Sequence, residues 1–320
     1  MKRILALVPG GISDQILFFP SLDDLKTQLP KAELDVVVEP RATSAYRVSH
    51  AVNKVIPFNF GGQNGPADWL NLLGILREQE YDAVMSLGTG WSVGLLMWLL
   101  RVPSRIGYTT GKPMLLLTDS VLLNPDQYVA VMYHDLLQGL GMTSACPPIA
   151  IQVPKPDIEW ADNERAYLGL ASSGYLLIDG GASQLTPKGI NQIYPIASWQ
   201  KVISEFQRRQ PDLPIVLVQG TEDAEWIAAM LHESPDLKVT APGDVGKLAA
   251  MIAGASLMLC TDSASMQLGV AVQTYLVALF GSTDPDRLLP KSDRFIGIKS
   301  PTGDIADIPP AMILEQAWRG

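Results

Sequence analysis

Short β-branched runs alternate with helix-length segments along almost all of the 320 residues, and this alternation constrains the fold more than any other feature. "RILALVP" reads as a strand, "DQILFFPSLDDLKTQL" as a helix with a proline near its start, and "ELDVVVEP" as the next strand. "DWLNLLGILREQ" is amphipathic, with Trp69, Leu72, Leu73 and Leu76 on one face. "YDAVMSLG" predicts a strand, "WSVGLLMWLLRV" a helix and "SRIGYT" a short strand. Apolar strands separated by helices predict a parallel sheet covered on both faces.

The pattern breaks once. "DQYVAVMYHDLLQGLGM" predicts a helix closed by Gly141. The Pro-rich "TSACPPIAIQVPKPDIEWAD" lacks a helical period and reads as a linker near residues 143 to 160. Alternation then resumes with "GYLLIDGG", "SWQKVISEFQRRQ", "PIVLVQG" and "EDAEWIAAML", and runs on through "LMLCTDS", "ASMQLGVAV" and "TYLVALFG" to a final helix, "PPAMILEQAW". Single cores commonly stop growing near ~250–300 residues. The expectation is two doubly wound α/β domains, residues 1–150 and 151–320. Ligands of such sheets bind beyond the carboxyl ends of the strands, and a cleft between two domains is the default site.

Composition excludes several classes. Charged residues make up 18% and the net charge is −9, so no fold-wide basic surface for nucleic acid is expected. Cys146 and Cys260 lie far apart, without metal-type spacing or a disulfide framework, which fits a reducing, cytoplasmic setting. His50, His134 and His232 are separated and form no metal set, so no metal is expected. His134 reads as a packed or surface histidine and His232 as a surface one. "MKRILALVPGG" has no small-x-small cleavage site and reads as a first strand, not a signal peptide. The apolar run Val93 to Val102 is too short to span a bilayer, which leaves room only for peripheral contact at the inner face of a membrane.

Four strand ends carry chemistry-bearing residues. In "PGGISDQILFFP", Gly10 and Gly11 permit a tight turn, and Ser13 and Asp14 stand where a helix begins. One of the pair is a helix cap, or Asp14 is a general base that takes a proton from an attacking hydroxyl. In "IDGGASQLTPKGINQIYP", Gly180, Gly181, Ser183, Thr186 and Lys188 combine backbone N–H groups, hydroxyls and an ammonium in one loop. Such a loop holds a diphosphate, or is an ordinary loop; the Walker spacing is absent. In "VQGTEDAEW", Glu222 or Glu225 offers acceptors to a ribose or base edge, with Thr221 as the alternative cap. In "CTDSASMQLG", Asp262, Ser263 and Ser265 begin a helix facing a diphosphate, or cap it. Thr89 and Trp91 follow the "SLG" strand, where Trp91 stacks on an acceptor sugar or packs in the core.

Taken in order, these segments resemble family 9 glycosyltransferases, the heptosyltransferases of lipopolysaccharide synthesis. "PGGISDQILFFPSLDDLKTQLPKAELDVVVEP" resembles that family's opening series, and "YDAVMSLGTGWSVGLLMWLLRVPSRIGY" its middle unit ending in Arg-Ile-Gly-Phe/Tyr. "YHDLLQGLGM" resembles its helix before the linker, and "DSASMQLGVAVQTYLVALFGSTDP" its Asp-Thr-Gly-x-x-His helix and following strand. The resemblance implies a GT-B fold of two Rossmann-like domains facing across a cleft. It implies transfer with inversion, needing no cofactor, from a nucleotide-diphosphate sugar to a hydroxyl of a glycan or glycolipid.

By resemblance the acceptor binds the N-terminal half, with Asp14 as base, and the strand-end residues Gly11, Ser13, Thr89 and Trp91 are the acceptor-side candidates there. The donor faces Gly181, Ser183, Thr186, Lys188, Glu222, Asp262, Ser263 and Ser265, with Gly281, Ser282 and Thr283 lining the same cleft. Three further donor-side positions depart from the family: Gln192 replaces a lysine, Ala264 a glycine and Gln267 a histidine. Loss of a cation weakens stabilisation of the departing diphosphate. These departures keep open a catalytically degenerate binding or scaffold protein, and a nucleotide-sugar epimerase is a third reading.

Overall fold

The computed structural model describes residues 2–62, 64–111, 115–170, 174–180 and 193–318. They form two compact units, Met1–Gln152 and Val153–Gly320.

The first unit is built on a parallel sheet of β1 (Arg3–Val8), β2 (Glu33–Val38), β3 (Lys54–Pro57), β4 (Ala83–Ser86), β5 (Ser104–Thr109) and β6 (Asp119–Leu122). Their order across the sheet is β3-β2-β1-β4-β5-β6. The central strands are buried runs, as a sheet covered on both faces requires: five of the six residues of β1 are buried, and so are all four of β4. The expectation missed β3 and β6. Each buries a single residue, Ile56 or Val121, so neither edge strand carries an apolar run to read.

Helix α1 (Ile12–Gln28) follows β1, α2 (Pro66–Arg77) leads into β4, and α3 (Trp91–Leu99) leaves it. Leu72, Leu73 and Leu76 of α2 and Val93, Leu96 and Met97 of α3 pack with Leu5, Leu7 and Val84 of the sheet. Pro20 lies inside α1, not near its start, and removes one helical N–H donor there. The single helix expected from Asp126 to its closing Gly141 is instead α4 (Val129–His134) followed by a 3-10 segment, Asp135–Leu140. Gly141 ends it at φ +78°, the left-handed conformation that glycine adopts without steric cost.

The second unit repeats the plan. Its strands are β7 (Leu176–Asp179), β8 (Ile215–Val218), β9 (Lys238–Thr240), β10 (Leu257–Thr261), β11 (Leu276–Phe280) and β12 (Phe295–Lys299), in the order β12-β11-β10-β7-β8-β9. The covering helices are α5 (Lys155–Tyr167), α6 (Ile196–Arg209), α7 (Ala224–Glu233), α8 (Val245–Gly254), α9 (Ala264–Ala271), α10 (Pro285–Leu288) and α11 (Pro310–Ala317). Helix α5 begins inside the segment expected to be a linker. Pro156 lies in its first turn, where proline starts a helix without losing a hydrogen bond, so that proline was a start signal. Trp199 is fully buried against Tyr194 at 5.1 Å between ring centroids, and the Tyr194 hydroxyl donates to the Ile308 carbonyl at 2.7 Å.

Each sheet starts at an inner strand, winds outward to one edge, then returns to wind the other way. The reversal falls between β1 and β4 in the first unit and between β7 and β10 in the second. A crevice opens at such a point beyond the strand ends, and that is where doubly wound proteins bind ligands.

Candidate functional site

Asp14 stands at the first reversal, in the opening turn of α1. Gly10 makes the turn from β1 at φ +122°, and a Cβ there would lie 2.3 Å from Asp14 Oδ2. Only glycine fits both the backbone angle and the contact. The Gly11 N–H donates to Asp14 Oδ2 at 2.8 Å, and the Tyr133 hydroxyl donates to Oδ1 at 2.9 Å. The capping expectation is therefore corrected: Gly11 holds the N-cap position, and Asp14 makes the return contact from three residues on. Asp14 and Ser13 are half-buried. Thr89 and Trp91, beyond β4 on the other side of the reversal, are exposed, Trp91 by 73%. The core-packing alternative for Trp91 is thus removed.

Tyr133 was not singled out from the sequence, because its role depends on α4 packing against α1. The next residue, His134, is buried and pairs through Nε2 with Asp24 Oδ2 at 3.0 Å. Asp24 also accepts from the Gln28 amide at 3.0 Å and from the Ser144 hydroxyl. Burial alone would raise the Asp24 carboxyl, but these three donors together hold it below the usual carboxylate range. Thus two carboxylates of α1 bind adjacent residues at the end of α4.

The second reversal is arranged differently. Asp179 ends β7, and the Ser265 hydroxyl of α9 donates to its Oδ2. Ser263 and Ser265 are joined Oγ to Oγ at 2.8 Å, and both are buried. Ser263 occupies the N-cap of α9, yet its hydroxyl makes no capping bond, so the simple cap alternative does not hold. Ala264 and Asp262 are half-buried beside them. Gln267 is fully buried, with Nε2 donating to the Leu288 carbonyl at 2.9 Å. The Gln267 amide thus meets the last residue of α10, while its Oε1 is buried without a hydrogen-bond partner among the described residues. Burial, together with the nearby carboxylates of Asp179 and Asp262, pushes the Cys260 thiol up.

At the end of β8, Glu222 is exposed, and the cap is Asp223, not Thr221. The Gly220 N–H donates to Asp223 Oδ2 at 2.7 Å, while Asp223 Oδ1 is buried without a hydrogen-bond partner. Gly180 is required by a close approach, since a Cβ there would lie 2.3 Å from the Trp226 ring. Gly281 is packed as closely: its Cβ would lie 2.9 Å from the Gly303 carbonyl, while Ser282 beside it is exposed. Gly181, Ser183, Thr186, Lys188 and Gln192 lie outside the described residues. Asp179 and Asp223 were readable as strand-end and helix-start acids, but their partners come from other elements and carry no local signal.

Among the described residues no group of three or more His, Cys, Asp or Glu side chains is placed to hold a metal ion. No described helix is long and apolar enough to cross a membrane.

Two parallel six-stranded sheets with this strand order define an α/β glycosyltransferase-type fold, GT-B. Residues 69–309 match the model of glycosyltransferase family 9 (heptosyltransferase), and the chain belongs to that family of glycosyltransferases. It is similar to lipopolysaccharide heptosyltransferase 3 of Escherichia coli, 24% identical over 92% of this chain and 88% of that protein. It is also similar to photosynthetic NDH subunit of subcomplex B 1 of Arabidopsis thaliana, a chloroplast protein, 22% identical over 96% of this chain and 71% of that one. Among solved structures, the family 9 glycosyl transferase of Veillonella parvula superposes with a TM-score of 0.84, at 19% identity over 99% of this chain and 96% of that one. The E. coli ADP-heptose lipopolysaccharide heptosyltransferase II superposes with a TM-score of 0.78, at 20% identity over 100% and 98%.

Proposed function

We propose that this chain moves a sugar from a nucleotide-diphosphate donor to a hydroxyl of a glycan or glycolipid, with inversion at the anomeric carbon. Heptose carried on ADP is the first donor to try, given the name of the E. coli relative with the same fold. The observation that carries the reading is the half-buried Asp14 carboxylate at the β1–β4 reversal, oriented by Gly11 and Tyr133. In this scheme the acceptor hydroxyl gives its proton to Asp14 as its oxygen attacks the anomeric carbon. The bond to the diphosphate breaks, and its electron pair leaves on the diphosphate oxygen. Trp91 and Thr89 receive the acceptor beside Asp14, and the loop with Ser183, Thr186 and Lys188, together with the first turn of α9, receives the donor. A helix start offers N–H groups and a positive dipole end to such an anion.

The test is transfer from a panel of nucleotide-diphosphate sugars, with the product and its anomeric configuration read by mass spectrometry and NMR. Wild type should release nucleoside diphosphate and glycosylated acceptor in equal amounts, and Asp14→Asn should lose transfer while keeping its melting transition. Undiminished transfer in a folded Asp14→Asn protein removes the base assignment.

The second reading is a binding or scaffold protein without turnover. It is favoured by a specific observation: Ser263 and Ser265 are buried and bonded toward Asp179, and Gln267 is buried on the Leu288 carbonyl. The similarity to a protein named as a subunit of a photosynthetic complex points the same way.

A further inference from the structure

Two adjacent carboxylates in the second half of α1 have opposite surroundings. Asp24 is buried and held by His134, Gln28 and Ser144. Asp23 is turned about 100° from it around the helix. It is half-buried, and its carboxylate has no hydrogen bond or ion pair among the described residues; the Thr27 hydroxyl donates only to its backbone carbonyl, at 2.9 Å. Burial alone pushes the Asp23 carboxyl up, as it does for a carboxylate desolvated without a compensating donor.

Asp23 stands in the wall of a cavity of about 480 Å³. The last turns of α1 and Pro30 form one side, the run from Val48 to Ala51 a second, and Ala150 to Gln152 a third. The Gln152 N–H donates to the Val48 carbonyl at 2.9 Å and ties the second side to the third. Lys26 also lines the cavity, but its ammonium is taken up by the Ala32 carbonyl at 2.6 Å and Asn53 Oδ1 at 3.4 Å, and it forms no ion pair with Asp23. Asp23 lies nine residues beyond Asp14, about 14 Å along α1, so the cavity is apart from the transfer crevice.

We infer that this cavity binds a small organic ammonium, its charged end on Asp23 and its hydrocarbon part on Pro30, Val48, Ala51 and Ile151. An ionised carboxylate only accepts hydrogen bonds, so the partner that Asp23 lacks is a donor. A cationic donor adds an attraction that partial burial strengthens. One carboxylate among apolar residues does not make a divalent-cation site, which takes several oxygen ligands. An anion would meet Asp23 directly, in a chain whose net charge is already −9. The inference does not rest on the transfer reading, and the two stand or fall separately.

The experiment is a saturation-transfer NMR titration of the full chain with n-butylamine, using n-butanol and butyrate as neutral and anionic counterparts. The amine should bind at least about tenfold more tightly than either counterpart, and more weakly as salt rises. Asp23→Asn should remove that preference. Because the carboxylate it replaces has no partner, the free variant should melt at or above the wild type, unlike Asp24→Asn. Ala150→Phe, at an exposed position in the third side, should block the amine and leave melting unchanged. The inference is overturned by no binding of the amine, by equal binding of amine and alcohol, or by a preference that survives in folded Asp23→Asn or Ala150→Phe. Tighter binding of butyrate would overturn it too, by assigning the cavity to Lys26. So would a loss of melting temperature in Asp23→Asn as large as that in Asp24→Asn, since it would show that Asp23 already has a partner.

Discussion

The two units share one strand order, and at the same point of that order they do different things with a carboxylate. In the first unit Asp14 is half-buried, touched by a backbone N–H and a tyrosine hydroxyl, with Thr89 and Trp91 exposed across the reversal. In the second unit Asp179 takes the hydroxyl of Ser265, Ser265 is bonded to Ser263, and both serines are buried. One crevice leaves its acid half-buried beside exposed residues. The other has spent its hydroxyls on its own framework. Equivalent topology therefore fixes where a site can form and says little about whether the groups there remain free for a ligand.

The largest effect should come from the first crevice. Asp14→Asn should lower transfer about 10²–10⁴-fold, the usual contribution of a positioned general base, because the amide cannot take the proton. Its amide oxygen can still accept from Gly11, so the melting temperature should stay near wild type. The next effect belongs to the second unit and to stability. Gly180→Ala pushes a methyl group into the Trp226 ring and should cost about 1–3 kcal/mol, read as a lower denaturant midpoint with unchanged slope. If Gly180→Ala is silent, the close approach at the end of β7 is not what keeps glycine there.

A pH series sharpens the comparison within the first unit. The folded-state carboxyl of Asp24 is held below its ordinary value, so it contributes stability above the unfolded-chain value. That contribution should be lost as pH falls through the lower, folded value. Asp24→Asn should therefore flatten the acid limb of the stability curve and lower stability at neutral pH by about 1–3 kcal/mol. Denaturation midpoints taken from neutral to acid pH check both. The smallest effect is expected at Tyr133→Phe. Removing one hydrogen bond of about 1 kcal/mol from Asp14 should slow transfer roughly fivefold, with no comparable loss in an Asp14→Asn background.

Much of the fold was legible because its inner strands are continuous apolar runs. "RILALV" and "LMLCT" declare themselves through burial on both faces. The edge strands β3 and β6 bury one residue each and left no such trace. The start of α5 was hidden because its prolines were read as linker chemistry, although proline in a first helical turn is a start signal. At the site, strand-end position was legible and partnership was not. Asp14 and Ser265 could be marked from their neighbours in sequence, but Tyr133 reaches Asp14 across 119 residues and Asp179 reaches Ser265 across 86. Gln267 shows the same limit. Its place in a family-like helix marked it, but its contact with the Leu288 carbonyl, 21 residues on, carries no local signal.

The transfer and scaffold readings part at the second unit, so the most direct measurement is a thermal-shift titration of the wild-type protein with ADP, UDP, GDP and their sugar conjugates. A ligand that binds only the folded state raises the transition, by an amount worth about 2.7 kcal/mol at a hundredfold excess over its dissociation constant. A donor-binding second unit should give a shift with one nucleoside diphosphate, retained in Asp14→Asn and reduced in Lys188→Ala. No shift with any member of the panel at millimolar concentration would contradict it, and would make the buried Ser263–Ser265–Asp179 cluster a structural clasp in a protein that no longer takes a donor.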